Sequence, residues 1–158
     1  MQSGKGGVIE NFKNYKNGAT LLLRDVEEGV VTDYKAIVTE VVDDVVFRFK
    51  ASEFFQNNSF ILPLLADHIV EESQVDGIRY FLDIYCGSGL FALYAGRHFE
   101  QAIGIEISER SVDYANSNAQ LNGLENCRFQ AGDAARLFEN LEIPAEDTVV
   151  VVDPPRKG

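Results

Sequence analysis

The stretch from Arg79 to Leu90 constrains the fold more than any other part of this sequence. An apolar run, Arg79 to Tyr85, ends in Cys86-Gly87-Ser88-Gly89 and passes straight into a helical pattern, Leu90 to His98. Glycines at such a junction let the chain turn tightly and let a ligand lie against the main chain. The helix start that follows offers unpaired N–H groups to an anionic group such as a carboxylate or phosphate. The pattern then alternates: a strand from Ala102 to Glu106, a helix from Ser108 to Asn122, a strand from Cys127 to Ala131, a short helix, and a strand from Thr148 to Asp153. Ser108 is placed to cap its helix and Gly123 to stop it. This alternation predicts an α/β fold with a doubly wound, Rossmann-like sheet. The right-handed crossover rule and the usual nucleotide-binding topology give strand order 3-2-1-4. The valines of Val149 to Val152 predict a fourth strand buried on both faces.

The preceding segment has another texture. Residues 1–16 read as a flexible lead-in rich in Gly, Asn and Lys. Ala19 to Arg24 and Lys35 to Val42 are strand-like. Val45 to Lys50 alternates with the period of two of a half-buried strand, and Asp43-Asp44 makes the turn of a β-hairpin. From Asn58 to Gln74 the period becomes helical, with Ile61, Leu62, Leu65 and Ile69 on one face. Asn58 or Ser59 would cap that helix, and Pro63 must sit near its start.

Composition narrows the classes. A chain of 158 residues that is 46% hydrophobic can bury a core, which excludes disorder. Its longest apolar runs, Ile61 to Leu65 and Val149 to Val152, fall far short of the about 20 residues that cross a bilayer. The first residues have no apolar centre of the kind a signal peptide carries. Two cysteines, Cys86 and Cys127, make no disulfide framework and point to a reducing compartment. The net charge is −11. Neutralising phosphates supplies most of a nucleic-acid binder's affinity, so this chain is by itself a poor RNA grip.

Glu106 closes the second strand, 19 residues after Gly87. An acid there can accept hydrogen bonds from both ribose hydroxyls of a nucleoside. Gly87-x-Gly89-x-x-Ala92 also satisfies the dinucleotide pattern, so NAD competes with adenosylmethionine. Asp83, at the end of the first strand, favours the latter: it would repel a pyrophosphate and attract an ammonium and a sulfonium. A strand-end cap is its structural alternative. Gly132-Asp133 follows strand three and places Asp133 where an adenine amino group would lie, although Gly-Asp is also ordinary turn chemistry. Asp153-Pro154-Pro155 follows strand four. Its prolines stiffen the loop and aim Asp153 into the crevice; acid-Pro-Pro at this place is typical of methyltransferases acting on planar nitrogen-containing bases.

Four ordered motifs, Phe54-Phe55-Gln56-Asn57-Asn58, Asp83-Ile84-Tyr85-Cys86-Gly87-Ser88-Gly89-Leu90-Phe91, Gly104-Ile105-Glu106-Ile107-Ser108 and Asp153-Pro154-Pro155-Arg156-Lys157-Gly158, closely resemble the RNA uracil-5-methyltransferases. The form of the first is most like the eukaryotic, fungal-type tRNA enzymes that make 5-methyluridine in the T-loop. The resemblance runs from about Asn17 to the end. It implies a class I methyltransferase sheet preceded by a hairpin and a helix. It also implies S-adenosyl-L-methionine as cofactor, contacted by Gln56, Tyr85, Glu106, Asp133 and Asp153. Leu90 stands where bacterial members carry Asn, which removes one cofactor hydrogen bond. Phe54-Phe55 would pack under the hairpin while the Gln56 amide faces the cofactor.

In that family a Cys thiolate adds to uracil C6, the resulting enolate takes the methyl at C5, and a Glu removes the C5 proton. The resemblance places both groups after Gly158. Cys86 and Cys127 read instead as small buried residues, and His68 and His98 receive no role. The chain is therefore expected to be the cofactor-binding part of an RNA methyltransferase, inactive alone, with no catalytic residue of its own. Residues 1–16 would be the lead-in, 17–76 the hairpin and helix, and 77–158 the N-terminal half of the cofactor domain. Strand four would end the sheet as an apolar edge open to association. The expected partner is RNA, with tRNA favoured; no metal and no membrane are expected, and the setting is intracellular. Two other readings stay open: a base-amino methyltransferase, which shares Asp-Pro-Pro, and a non-catalytic binding module. An NAD oxidoreductase is more distant.

Overall fold

A computed structural model describes residues 24–25, 29–30, 35–51, 53, 55, 58, 60–138 and 140–155. The readings made on residues 1–16, on Ala19 to Leu23, on Phe54, Gln56, Asn57 and Ser59, and on Arg156-Lys157-Gly158 lie outside the described residues. Two compact units divide the chain, Met1–Val38 with Lys50–Glu53 and Thr39–Phe49 with Phe54–Gly158. In the first, β1 (Arg24–Asp25) and β2 (Gly29–Val30) pair antiparallel, Arg24 opposite Val30. β3 (Ile37–Val42) and β4 (Val45–Lys50) form the expected hairpin, of which Thr39–Phe49 belongs to the second unit. Its turn needs a left-handed residue, and Asp43 supplies it at φ 52°, as short polar side chains do more readily than others. Along β4 the alternation holds: Val45, Phe47 and Phe49 are buried while Arg48 faces water.

The second unit is built on a parallel sheet. β5 (Tyr80–Ile84), β6 (Gln101–Glu106), β7 (Cys127–Ala131) and β8 (Thr148–Val152) lie in the order β7-β6-β5-β8. That is the 3-2-1-4 order expected of a doubly wound fold. Four helices accompany it among the described residues: α1 (Leu62–Ser73), α2 (Leu90–Ala95), α3 (Glu109–Leu121) and α4 (Ala134–Phe138). Ser108 caps α3, its side chain accepting from Ser111 N, and Gly123 follows at φ +66° as the stop. One face of the sheet buries Leu82, Ile103 and Ile105 against Ala134, Leu137, Leu141 and Ile143. α2, buried along its whole length, belongs to the glycine-rich junction; Phe81 beneath it meets Phe99 at 5.3 Å between ring centroids.

Three expectations are corrected. α1 begins at Leu62, with Ile61 as an N-cap that makes no side-chain bond; Asn58 spends its side chain on Phe60 N instead. Pro63 explains this, since it is tolerated only in the first turn and so sets the start of the helix. α2 stops at Ala95 rather than His98, because Asn126 Nδ2 donates to the carbonyls of Gly96 and Phe99 and ends the helical ladder there. β8 is not buried on both faces: Val150 is 39% exposed and Val152 56%. The valine run fits a parallel strand, but burial depends on neighbours, and β8 pairs only with β5. No helix among the described residues is long and apolar enough to cross a membrane.

Phe129 of β7 locks the layers together. A Cβ at Gly104 would come within 2.4 Å of its ring and 2.7 Å of Cys86 Sγ, and a Cβ at Gly89 within 2.9 Å of the same ring. Gly104→Ala should therefore overpack the sheet and cost about 1–3 kcal/mol, read as a lower denaturant midpoint. An unchanged midpoint would mean that Phe129 has room to move.

Candidate cofactor site at the sheet edge

The register brings the acids together. Ile84 lies opposite Ile105 on one side and Val152 on the other. The next residues along the three strands are Tyr85, Glu106 and Asp153, so neighbouring strands deliver them to one edge. Glu106 in turn is opposite Ala131, which puts Gly132-Asp133 on the same edge. This is the carboxyl end of the sheet, where open α/β folds bind ligands at the reversal of strand order. Here that reversal falls between β5 and β8. Four of the five residues expected to contact the cofactor thus share an edge; Gln56 lies outside the described residues. Phe55, next to it in sequence, stacks on Phe49 at 4.3 Å between centroids and leans on Phe47 at 5.5 Å.

Tyr85 and Cys86 both donate their amides to the carbonyl of Ile105, at 2.9 and 3.1 Å. The two bonds bend the chain out of β5 and leave Tyr85 at φ 70°. A bulky residue there is strained by about 1–3 kcal/mol, a cost that concentrates at functional sites. Tyr85 is 41% exposed at the edge. The sequence reading missed this strain, although Tyr85 stands two residues before Gly87 in a turn that glycines otherwise dominate. Gly87 and Gly89 carry φ 54° and 92°, which lets the loop close over the end of β6.

Glu106 ties that loop to α3. Its Oε2 accepts from Gly87 N at 3.2 Å and its Oε1 from Ser108 N at 3.0 Å. Each carboxylate oxygen has a second lone-pair direction, so both remain able to accept from a vicinal diol. Asp133 is exposed, and its Oδ1 accepts from Arg136 N at 3.1 Å. It therefore caps α4, the turn chemistry weighed for it, from a position still on the edge. Asp153 is exposed, with its amide 3.4 Å from the Ile84 carbonyl.

Asp83 does not open onto the crevice. It is 1% exposed, and its Oδ2 accepts from Ala92 N at 3.1 Å, capping α2 from below. Its Oδ1 has no partner among the described residues. Burial pushes its pKa up to about 7; the Ala92 bond opposes the rise, and the charges of Asp153 and Glu106 add to it. The structural alternative for Asp83 is thus realised. Asp83 nevertheless lies close enough to the edge for the charges of Asp153 and Glu106 to act on it. Three acids gathered this closely make an edge suited to a cation.

Neither cysteine is poised as a nucleophile. Both are buried and free. Burial pushes the Cys86 thiol strongly up, helped by Asp83 and Glu106, and pushes Cys127 up to about 12; reactive cysteines have depressed values. Among the described residues no cluster of His, Cys, Asp and Glu is placed to hold a metal. A hollow of about 340 Å³ beside Gln120, Gly123 and Leu124 lies at the far end of α3 and is separate from this edge.

Comparison with known proteins agrees with this geometry. Residues 76–152 match the family described as "Methyltransferase domain". The chain is 38% identical to the tRNA (uracil(54)-C(5))-methyltransferase of Saccharomyces cerevisiae, over 94% of its own length and 30% of that protein's. With the Schizosaccharomyces pombe protein of the same name the identity is 42%, over 96% of this chain and 32% of that one. The chain thus spans about a third of the length of these relatives. Among solved structures, the Pyrococcus abyssi tRNA (uracil-54, C5)-methyltransferase in complex with S-adenosyl-L-homocysteine superposes with a TM-score of 0.63 at 28% identity, covering 77% of this chain and 29% of that one.

Asp83 carries a stability consequence of definite sign. Its folded pKa lies above the unfolded value of 3.8, so the folded state binds the proton more tightly. Stability contributed by this group is present below about pH 4 and is lost as pH rises towards 7. Melting wild type and Asp83→Asn in parallel isolates it, since Asn keeps an acceptor for Ala92 N. Wild type should lose ground to the variant between pH 4 and 7, and a constant difference across that range would refute the shift.

Proposed function

We propose that this chain, homologous over nearly its whole length to tRNA (uracil-54,C5)-methyltransferases and carrying a class I methyltransferase domain, is the S-adenosylmethionine-binding part of an RNA uracil-C5 methyltransferase. The observation that carries the reading is the level ending of β5, β6 and β8, which gathers Tyr85, Glu106 and Asp153 around a glycine-rich loop. In this reading residues 77–158 supply the first four strands of the cofactor domain, and residues 17–76 lead into it.

The residues present fit the cofactor. Glu106 holds the ribose diol through the two acceptor directions its loop contacts leave open. Asp133, at the end of β7, faces the adenine, and Tyr85 covers the nucleoside with its exposed ring. Asp153 faces the cationic amino-acid and sulfonium end, and Asp83, buried beneath α2, acts on it only through its field when ionised. Gln56 joins them on its sequence resemblance alone. The bound cofactor supplies an electrophilic methyl group on sulfur; the chain's own residues bind and orient it. NAD fits worse, because its pyrophosphate would meet Glu106 and Asp153, with Asp83 buried behind them.

For the whole protein the proposed activity is formation of 5-methyluridine in RNA, with tRNA as the substrate class and the T-loop as the target. Support comes from the relatives' names at 38% and 42% identity. The acidic balance of this chain, 25 Asp and Glu against 14 Lys and Arg, assigns the phosphate grip to other parts of such a protein.

Titration calorimetry with S-adenosyl-L-homocysteine should register binding, while NAD should leave Tm unmoved, because only a ligand of the folded state raises it. Stabilisation by NAD with indifference to S-adenosylhomocysteine would reverse the reading. Glu106→Ala removes charge-assisted bonding to the diol; a net loss of about 1.5–3 kcal/mol should lower affinity for S-adenosylhomocysteine roughly 10- to 150-fold. For the whole protein, methyl transfer to C5 of a T-loop uridine is the expected outcome; transfer to an exocyclic nitrogen would favour the base-amino class.

A further inference from the structure

Asn118 is the largest fully buried polar side chain of the described residues that is not an acid, at 0% exposure, and no part of the site described so far uses it. It lies on α3, four residues before Asn122. Both asparagines point their amides at the backbone of β4. Arg48 N donates to Asn118 Oδ1 at 2.8 Å, and Asn118 Nδ2 returns a bond to Arg48 O at 3.1 Å. One register along, Val46 N donates to Asn122 Oδ1 at 2.8 Å, and Asn122 Nδ2 donates to Val46 O at 2.7 Å. The pairing works because spacings match: four residues of helix rise about 6 Å, and two residues of strand about 6.6 Å. Two side-chain amides thus stand in for a neighbouring strand along β4.

The two asparagines differ in one respect. The second hydrogen of Asn118 Nδ2 reaches the carbonyl of Ser88, in the middle of the glycine loop, at 3.4 Å. Asn122 spends its own on Asn118 O, within α3. Asn118 therefore ties together three segments: the loop between Gly87 and Gly89, helix α3, and the strand whose Phe47 and Phe49 hold Phe55. Every polar atom it has is used, which fixes the orientation of its amide.

We infer that Asn118 is a positioning residue for the cofactor loop: it sets the distance between Ser88 and the hairpin, and so the shape of the loop that Glu106 engages through Gly87. The inference rests on the proposed cofactor reading. Asn122 serves as its internal control, since it makes the same two bonds to β4 without touching the loop.

The test compares Asn118→Ala with Asn122→Ala in the full chain, reading S-adenosylhomocysteine affinity by calorimetry and Tm by melting. Both variants should lose Tm to a similar degree. Asn118→Ala should weaken binding about tenfold or more, while Asn122→Ala stays within about threefold of wild type. Equal losses of affinity would overturn the inference and leave a purely structural clamp. Absence of binding in wild type would instead sink the cofactor reading itself. Amide hydrogen exchange on wild type gives a second readout that no folding defect can block. S-adenosylhomocysteine should slow exchange of the Arg48 amide, held by Asn118, more than that of the Val46 amide, held by Asn122; equal slowing would overturn the inference.

Discussion

Two amides converge on one carbonyl where β5 ends, and the site follows from that convergence. Tyr85 N and Cys86 N both reach Ile105 O, so the chain leaves the sheet abruptly rather than running on beside β6. Glu106, the next residue of β6, then meets Gly87 N from below the loop and Ser108 N from the start of α3. A carbonyl that has accepted two donors and a carboxylate that has accepted two more leave little freedom in the loop. The φ of 70° at Tyr85 is the visible cost, and it is sustained because the surrounding bonds over-determine the turn.

Packing beneath the loop is equally intolerant. Phe129 fills the space that side chains at Gly89 and Gly104 would claim, and Asp83 sits under α2 with one oxygen on Ala92 N. The loop is thus held from three directions, by β6 through Ile105 and Glu106, by β7 through Phe129, and by α3 through Asn118. A binding edge made this way is largely pre-formed, which limits the ordering a ligand has to impose.

What could be read from the sequence was what local pattern determines. The strands Cys127–Ala131 and Thr148–Val152, the Ser108 cap and the hairpin at Asp43-Asp44 each depend on residues within a few positions of one another. The edge that gathers Tyr85, Glu106, Asp133 and Asp153 was legible too, because parallel order and strands of five or six residues deliver their ends to one line. The edge position of β8 was legible as well, but the exposure of Val150 and Val152 was not, since it turns on what covers that part of the sheet. Nor was the burial of Asp83. Its side follows from alternation with Phe81, but whether that side meets water or α2 is a tertiary matter. Asn118 was invisible for the same reason: an asparagine mid-helix is an ordinary surface residue until a strand 70 positions away claims its amide.

The acids at the edge carry an energetic tension that bears on what the edge is for. Asp83, Glu106 and Asp153 repel one another, and Asp83 is held near neutrality by burial as well as by its neighbours. A fold selected for stability alone would have Asn at position 83, which keeps the bond to Ala92 N and removes the charge. Keeping an acid is worthwhile only where something positive compensates it. A cation at the edge would favour the ionised carboxylate, so its binding and the loss of the Asp83 proton would favour each other. A phosphate-bearing ligand would do the opposite and meet the like charges of Glu106 and Asp153. The sign of the site, more than its shape, therefore favours a sulfonium cofactor over a dinucleotide. A glycine-rich loop of nucleotide-binding form can stand over Glu106 and Asp153 on the same ground.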